Sequence, residues 1–276
     1  MRSVLPVGSS VHSLSASSLT RTYIVYRPAF LPAAAPLVVM LHGGFGSARQ
    51  AQRSYRWNAE ADDGHFVVAY PDGLYRAWNA GGGCCGRPAR MQVDDVGFIA
   101  AMVAAIGRAI PLDANRVYAT GMSNGGIMAY TLACRTPIFA AIGPVAATQL
   151  AGRPPPDAVS VIHIHGTADR NIPYNGGPGS GAARINGPSA PTLNARWRAA
   201  NHCRPPVTST NGVVTRAVAQ SPGGRSVELV TIAGAGHQWP GAVPMPAAQR
   251  LLPLDPPSTA LDATRAIWRF FAAHPR

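Results

Sequence analysis

The chain alternates short, continuously apolar runs with longer stretches that carry apolar residues at helical spacing. Strand-like runs lie at Tyr23–Tyr26, Leu37–Leu41, Phe66–Tyr70, Arg116–Thr120, Ala140–Val145, Ser160–His165, Gly212–Val218 and Val227–Ile232. Most are apolar throughout rather than alternating, the pattern of strands covered on both faces. Helix-like segments fall between them. One opens at Asp94-Asp95 and runs to Ile110, where Pro111 ends it; its acidic start suits the positive end of a helix dipole. Others span Asn124–Cys134, Leu193–Asn201 and Ser258–Ala272. Strands alternating with helices predict an α/β fold with a mostly parallel central sheet and helices on both faces.

The pattern leaves two stretches without an element. Asp169–Pro191 is rich in glycine and long for a loop in a compact domain, which marks it as functional or mobile. Ala147–Val159 is short, so no large lid domain is expected and the site should be open. Residues 1–20 read as an N-terminal extension and 21–276 as one catalytic domain, with no internal repeat or linker.

One turn in this pattern carries chemistry. Gly121-Met122-Ser123-Asn124-Gly125 joins the strand at Arg116–Thr120 to the helix that begins at Asn124. G-x-S-x-G between a strand and a helix is a nucleophile elbow. The glycines let a strained turn close, and the serine hydroxyl then projects beside the free N–H groups of the helix start.

A serine nucleophile needs a base, an acid to orient that base, and donors for an oxyanion. The order expected on this fold is Ser, acid, His. Between Ser123 and His237 the acids are Asp157, Asp169 and Glu228. Asp157 precedes a strand and so lies at the wrong end of the sheet, and Glu228 is inside one. Asp169 follows a strand end, where ligand sites form in such sheets. Of His202, His237 and His274, only His237 follows a strand directly, on a glycine-rich approach. Asp169 and His237 are therefore the expected partners of Ser123. The oxyanion donors should be the amides of Asn124 and of Gly44 or Phe45, in the loop Leu41-His42-Gly43-Gly44-Phe45-Gly46, with His42 holding that loop. Trp78, Trp239 and Tyr174 are candidate substrate-binding aromatics. His163 and His165 share a strand face without a third ligand, so they read as packing residues. Asp94 and Asp95 read as a helix cap. No metal and no cofactor are expected.

Composition sharpens this in three ways. All 24 cations are arginine and the chain has no lysine, which excludes Schiff-base, pyridoxal phosphate, Ser-Lys and Walker A chemistry. The net charge is +12, but the arginines are scattered and form no patch, so no nucleic-acid partner is expected. No apolar run is long enough to span a membrane. The four cysteines, Cys84, Cys85, Cys134 and Cys203, form no C-x-x-C. Their even count fits disulfides in an exported protein, secreted or periplasmic, although the first residues carry no apolar leader core. Adjacent Cys84 and Cys85 would be strained as a pair, so each is expected to reach elsewhere or stay free.

Tyr70-Pro71-Asp72-Gly73, Trp78-Asn79, Cys84-Cys85-Gly86, Val93-Asp94-Asp95-Val96-Gly97-Phe98-Ile99, Gly121–Gly126, His165-Gly166-Thr167-Ala168-Asp169 and Gly236-His237-Gln238-Trp239-Pro240-Gly241 together resemble the LpqC-type poly(3-hydroxybutyrate) depolymerase and feruloyl esterase family. The resemblance runs from about Tyr23 to Phe271. It implies an α/β-hydrolase fold and an exported serine esterase with Ser123, Asp169 and His237 as its triad and no metal; a monomer is expected. It also implies a disulfide that involves the Cys84-Cys85 pair, with the partner left open. The expected substrates are hydroxyalkanoate or aromatic esters. Acetylated sugars, an acyltransferase or peptidase role on the same fold, and a non-catalytic binding protein are the alternatives.

Overall fold

A computed structural model describes residues 5–152, 154, 159–244 and 255–276. Ten strands form one sheet: β1 (Gly8–Ala16), β2 (Leu19–Arg27), β3 (Ala35–Leu41), β4 (Val67–Pro71), β5 (Leu112–Met122), β6 (Ala141–Val145), β7 (Ser160–Gly166), β10 (Val207–Asn211), β11 (Val214–Gln220) and β12 (Ser226–Ile232). Their order across the sheet is β1-β2-β4-β3-β5-β6-β7-β12-β11-β10. The six central strands from β4 to β12 run parallel, and an antiparallel hairpin closes each end. Two further strands, β8 (Gly177–Pro178) and β9 (Asn186–Gly187), pair within the long loop after β7.

Helices cover both faces, as the apolar runs predict. In β3, Leu37, Val39 and Leu41 face one core and Val38 and Met40 the other. Successive side chains on a strand point to opposite faces, so a strand buried on both sides must be apolar at every position. The first core lies under α4 (Asp95–Ala109), α5 (Asn124–Arg135) and α6 (Ala190–Ala200). The second lies under α1 (Ala48–Ser54), α2 (Trp57–Gly64) and α7 (Ala263–Ala273). A short helix, α3 (Gly86–Arg90), follows the cysteine pair.

Four elements differ from the sequence reading. Residues 8–16, within the stretch read as an N-terminal extension, form a strand that pairs with β2 along its whole length. This strand is half-exposed and mostly polar, so it has no apolar face to announce it. The polar edge strand β10 escapes for the same reason. The α6 helix begins earlier than Leu193, because the Ser189 hydroxyl caps it by accepting from the Thr192 amide. The α7 helix begins later than Ser258, because Asp262 caps it by accepting from the Arg265 amide. The Asp157 reading lies outside the described residues, as does part of the Ala147–Val159 connection.

Candidate active site

Ser123 stands between the end of β5 and the first turn of α5, at φ 55° and ψ −123°. Such angles are strained for a residue with a β-carbon, and they survive only where the surroundings impose them. Three constraints do so here. The Ser123 amide donates to the Val145 carbonyl at 2.9 Å. A β-carbon on Gly121 would meet the Gly125 backbone, and one on Gly125 would meet the carbonyls of Leu41 and His42. The turn therefore closes only with glycine on both sides of the serine.

His237 and Asp169 come to this serine from the carboxyl ends of β12 and β7. The Ser123 hydroxyl lies 2.8 Å from His237 Nε2, and His237 Nδ1 lies 2.7 Å from Asp169 Oδ2. Asp169 and His237 are both buried. With Nδ1–H donating to the carboxylate, Nε2 is left to accept from the serine. Asp169 Oδ1 accepts from the amides of Asn171 and Ile172, each at 2.9 Å. Burial by itself would raise the Asp169 carboxyl, but hydrogen bonds from His165 and His237 outweigh it and hold the group well below the usual carboxylate range.

The facing wall is the loop after β3. Positions Gly43 and Gly44 run alongside the elbow: a β-carbon on Gly43 would lie 3.6 Å from Ser123 Cβ, and one on Gly44 would lie 4.0 Å from Asn124 Cβ. His42 fastens this loop. Its Nε2 accepts from the Gly73 amide at 2.9 Å, so Nδ1 carries the proton and donates to the Gly43 carbonyl at 2.8 Å. Burial lowers the pKa of His42, in keeping with that neutral tautomer. The loop-holding role read from the sequence is the role His42 has in the structure.

Asn124 ties the elbow to the next loop. Its Oδ1 accepts from the Trp78 amide at 2.7 Å, and its Nδ2 donates to the Trp78 carbonyl at 3.1 Å and to Cys84 Sγ at 3.7 Å. As the first residue of α5 it keeps a backbone N–H without an intrahelical acceptor. The Gly44 amide has no hydrogen-bond acceptor among the described residues. The Phe45 amide does have one, the Arg76 carbonyl at 2.8 Å. That removes Phe45 as an alternative oxyanion donor. Its ring instead stands 65% exposed on the rim.

Three further expectations are corrected. Trp78 and Trp239 are fully buried, so neither indole presents a face to a ligand. Trp78 Nε1 donates to the His42 carbonyl and Trp239 Nε1 to the Thr264 hydroxyl, so both act through packing. Cys84 and Cys85 do not reach elsewhere: their sulfurs lie against each other, and Cys134 and Cys203 are free. Asp95 does more than begin a helix. Asp94 is the cap, accepting from the Gly97 amide at 2.8 Å, whereas Asp95 is buried in an ion pair with Arg21. Tyr174 keeps partial exposure, and its hydroxyl bonds that of Thr231 at 2.9 Å.

Glu228 pairs with Arg216 on the neighbouring strand, away from His237. His274 bonds the Phe270 carbonyl at the end of α7. Sequence reasoning missed Asp255, whose Oδ2 accepts from the His237 amide at 2.7 Å and steadies the loop that carries the ring. It missed the partners of His165 as well, although the i, i+2 spacing with His163 did mark the pair.

A mostly parallel sheet wrapped on both faces, with a strained serine turn at the carboxyl end of a central strand, defines an α/β hydrolase. The family model described as Esterase PHB depolymerase matches residues 21–173, more than half of the chain. A protein named as an esterase, NocK of Nocardia uniformis subsp. tsuyamanensis, is 31% identical over 87% of this chain and 76% of its own length. The chain belongs to the Esterase PHB depolymerase family. Feruloyl esterase B of Piromyces equi is 29% identical over 74% of this chain, which spans only 40% of that protein. The solved acetyl xylan esterase of Aspergillus awamori superposes with a TM-score of 0.62 at 15% identity, covering 88% of this chain and 97% of that one. At that identity the likeness is one of fold.

Proposed function

We propose that the protein is a serine carboxylic ester hydrolase that works through an acyl-enzyme, with Ser123 as nucleophile, His237 as base and acid, and Asp169 as the orienting carboxylate. The observation that carries this is the unbroken row Ser123 Oγ–His237–Asp169, with separations of 2.8 and 2.7 Å. Ser123 Oγ attacks the ester carbonyl carbon while its proton passes to His237 Nε2. The carbonyl oxygen becomes an oxyanion, which the amides of Asn124 and Gly44 receive as hydrogen-bond donors. The C–O bond to the alcohol then breaks, and His237 returns the proton to the departing alkoxide. Water repeats the sequence on the acyl-enzyme, giving its proton to His237, and the carboxylic acid leaves as Ser123 is restored. Asp169 stays ionised throughout and stabilises the imidazolium.

Hydroxyalkanoate and feruloyl or other aromatic esters are the substrates this reading favours. Family membership and the feruloyl esterase among its relatives support both classes. On the same reading the enzyme is exported and monomeric. The test is hydrolysis of a p-nitrophenyl ester beside methyl ferulate, acetylated xylan and hydroxybutyrate oligomers. Ser123→Ala should remove at least about 1,000-fold of kcat on every ester that wild type cleaves. Undiminished activity of that variant would refute the assignment, and cleavage of acetylated xylan alone would move the substrate class.

A further inference from the structure

Behind Asp169 lies a row of polar side chains that the proposed chemistry does not use. The Tyr130 hydroxyl of α5 is 2.9 Å from His163 Nδ1, His163 Nε2 is 3.0 Å from His165 Nδ1, and His165 Nε2 is 2.8 Å from the Ile172 carbonyl and 3.2 Å from Asp169 Oδ2. Tyr130 and His163 are completely buried, and His165 is 2% exposed. Buried groups of this kind are retained only when every donor finds an acceptor.

The direction of each bond follows from its end. A carbonyl and a carboxylate can only accept, so His165 Nε2 must carry the hydrogen. With one proton per ring, His165 Nδ1 is then an acceptor, so His163 Nε2 must donate to it. That leaves His163 Nδ1 to accept, and the Tyr130 O–H is its donor. The row is thus satisfied in one sense only, pointing from Tyr130 towards Asp169. Burial holds His163 well below the usual histidine range, in keeping with a neutral ring in that row.

We infer that His165 is a positioning residue for the ester hydrolysis, fixing the Asp169 carboxylate in place and in its ionised form, and that Tyr130 and His163 orient it for that task. The inference rests on the proposed role of Asp169. Asp169 Oδ2 accepts from His237 Nδ1 at 2.7 Å and has His165 Nε2 at 3.2 Å, whose one N–H is shared with the Ile172 carbonyl at 2.8 Å. The second donor keeps this oxygen from turning away from His237 and stabilises the charged carboxylate. Other titratable groups facing this centre are Asp255, whose carboxylate accepts from the His237 amide, and Tyr174, whose ring packs edge-on against His165.

The test compares His165→Leu, His165→Gln and Tyr130→Phe with wild type, in p-nitrophenyl ester kinetics across pH, with unfolding followed in parallel. His165→Leu removes the donor, and kcat should fall about 10-fold or more with KM little changed. Its acid limb in kcat/KM should move up by about half a pH unit, because a carboxylate with one donor fewer is more basic. His165→Gln places an amide N–H within similar reach and should recover kcat to within about 3-fold of wild type. Tyr130→Phe should lower kcat by about 2- to 5-fold and move the acid limb in the same direction by less.

A folded His165→Leu with wild-type kcat and pH profile overturns the inference. So does a folded His165→Gln as impaired as the leucine variant, which would reduce the residue to packing. If His165→Leu fails to fold, His165→Gln and Tyr130→Phe decide, and an unaltered Tyr130→Phe removes the orienting row. Fluorophosphonate labelling of Ser123 in wild type separates the two levels. Labelled wild type with unaffected His165 variants refutes this inference alone, whereas unlabelled wild type refutes the serine-esterase reading and this inference with it.

Discussion

Two aspartates are buried almost completely, Asp95 at 1% and Asp169 at 4% exposure, and they are held in opposite ways. Asp95, at the start of α4, faces the guanidinium of Arg21 at 2.6 Å and accepts from the Asn79 amide at 2.7 Å. Asp169, after β7, faces no guanidinium. It is surrounded by four N–H groups, from Asn171, Ile172, His237 and His165. Burial pushes the Asp95 carboxyl up, and the pull of Arg21 and Asn79 does not cancel it. Burial pushes Asp169 up too, yet the hydrogen bonds bring it far down. The hydrogen bonds and charge of the two imidazoles thus outweigh burial at Asp169, whereas Arg21 and the Asn79 amide do not outweigh it at Asp95.

The difference matches what each acid is placed to do. Asp95 is a brace. It joins β2 to the loop at Asn79, and the adjoining Trp78 grips Asn124 through its amide and carbonyl. Its charge state touches nothing that reacts. Asp169 touches the imidazole, so its charge and its lone-pair direction enter the proposed chemistry. Asp169→Asn therefore has the largest expected effect. An amide in that position turns the His237 tautomer, and kcat should fall by roughly 1,000- to 10,000-fold with KM near wild type. Steady-state kinetics on a p-nitrophenyl ester measures this. A loss of less than about 10-fold would place Asp169 in the same bracing role as Asp95 and dissolve the contrast.

Asp95→Ala should behave the other way round. It leaves Arg21 and the Asn79 amide buried without any acceptor, so stability should drop by about 3–5 kcal/mol, read by urea unfolding. The kcat of the folded fraction should stay within about 3-fold of wild type, because the reacting atoms keep their partners. The Arg21→Met/Asp95→Leu double variant should lose less stability than Asp95→Ala, since it removes both buried charges together. A large kcat loss in a folded Asp95→Ala protein would show that the brace governs the oxyanion side directly.

How far each acid could be read from the sequence follows the same division. Ser123, Asp169 and His237 each come straight after a continuous apolar run, so the strand ends placed them, and the scarcity of acids left few competitors. Asp95 was visible as a helix start, but Arg21 lies 74 positions earlier, and nothing in one dimension brings β2 to α4. Asp255 follows His237 by 18 residues, with no described strand or helix between them to place it. The tryptophans misled for a related reason: proximity in sequence to Asn79 or His237 does not reveal which way a ring points, and both indoles point inward. For the cysteine pair, the strain of neighbouring residues says nothing of the surrounding loop, where Cys85 and Ala80 bond back to Trp78 and Cys84.

The smallest expected effect is also the cleanest test of the opposed carboxylates, because it reads their signs. Asp169 has a folded pKa below its unfolded value. Below about pH 4 the unfolded chain therefore binds the extra proton, and the stability that Asp169 supplies is present above that point and is lost as pH falls towards the folded value. Asp95 has a folded pKa above its unfolded value. The folded chain keeps a proton that the unfolded chain has released, so the stability linked to that proton is present below about pH 4 and is lost as pH rises through the folded value. Each group contributes a slope of at most about 1.4 kcal/mol per pH unit within its own window. Urea unfolding of wild type, Asp169→Asn and Asp95→Asn between about pH 3 and pH 6 separates them. The stability gap between wild type and Asp169→Asn should widen as pH rises from the acid end, and the gap between wild type and Asp95→Asn should narrow above about pH 4. Slopes of the same sign would mean that Arg21 and the Asn79 amide hold Asp95 as firmly ionised as the two imidazoles hold Asp169, and the contrast between the two carboxylates would fall.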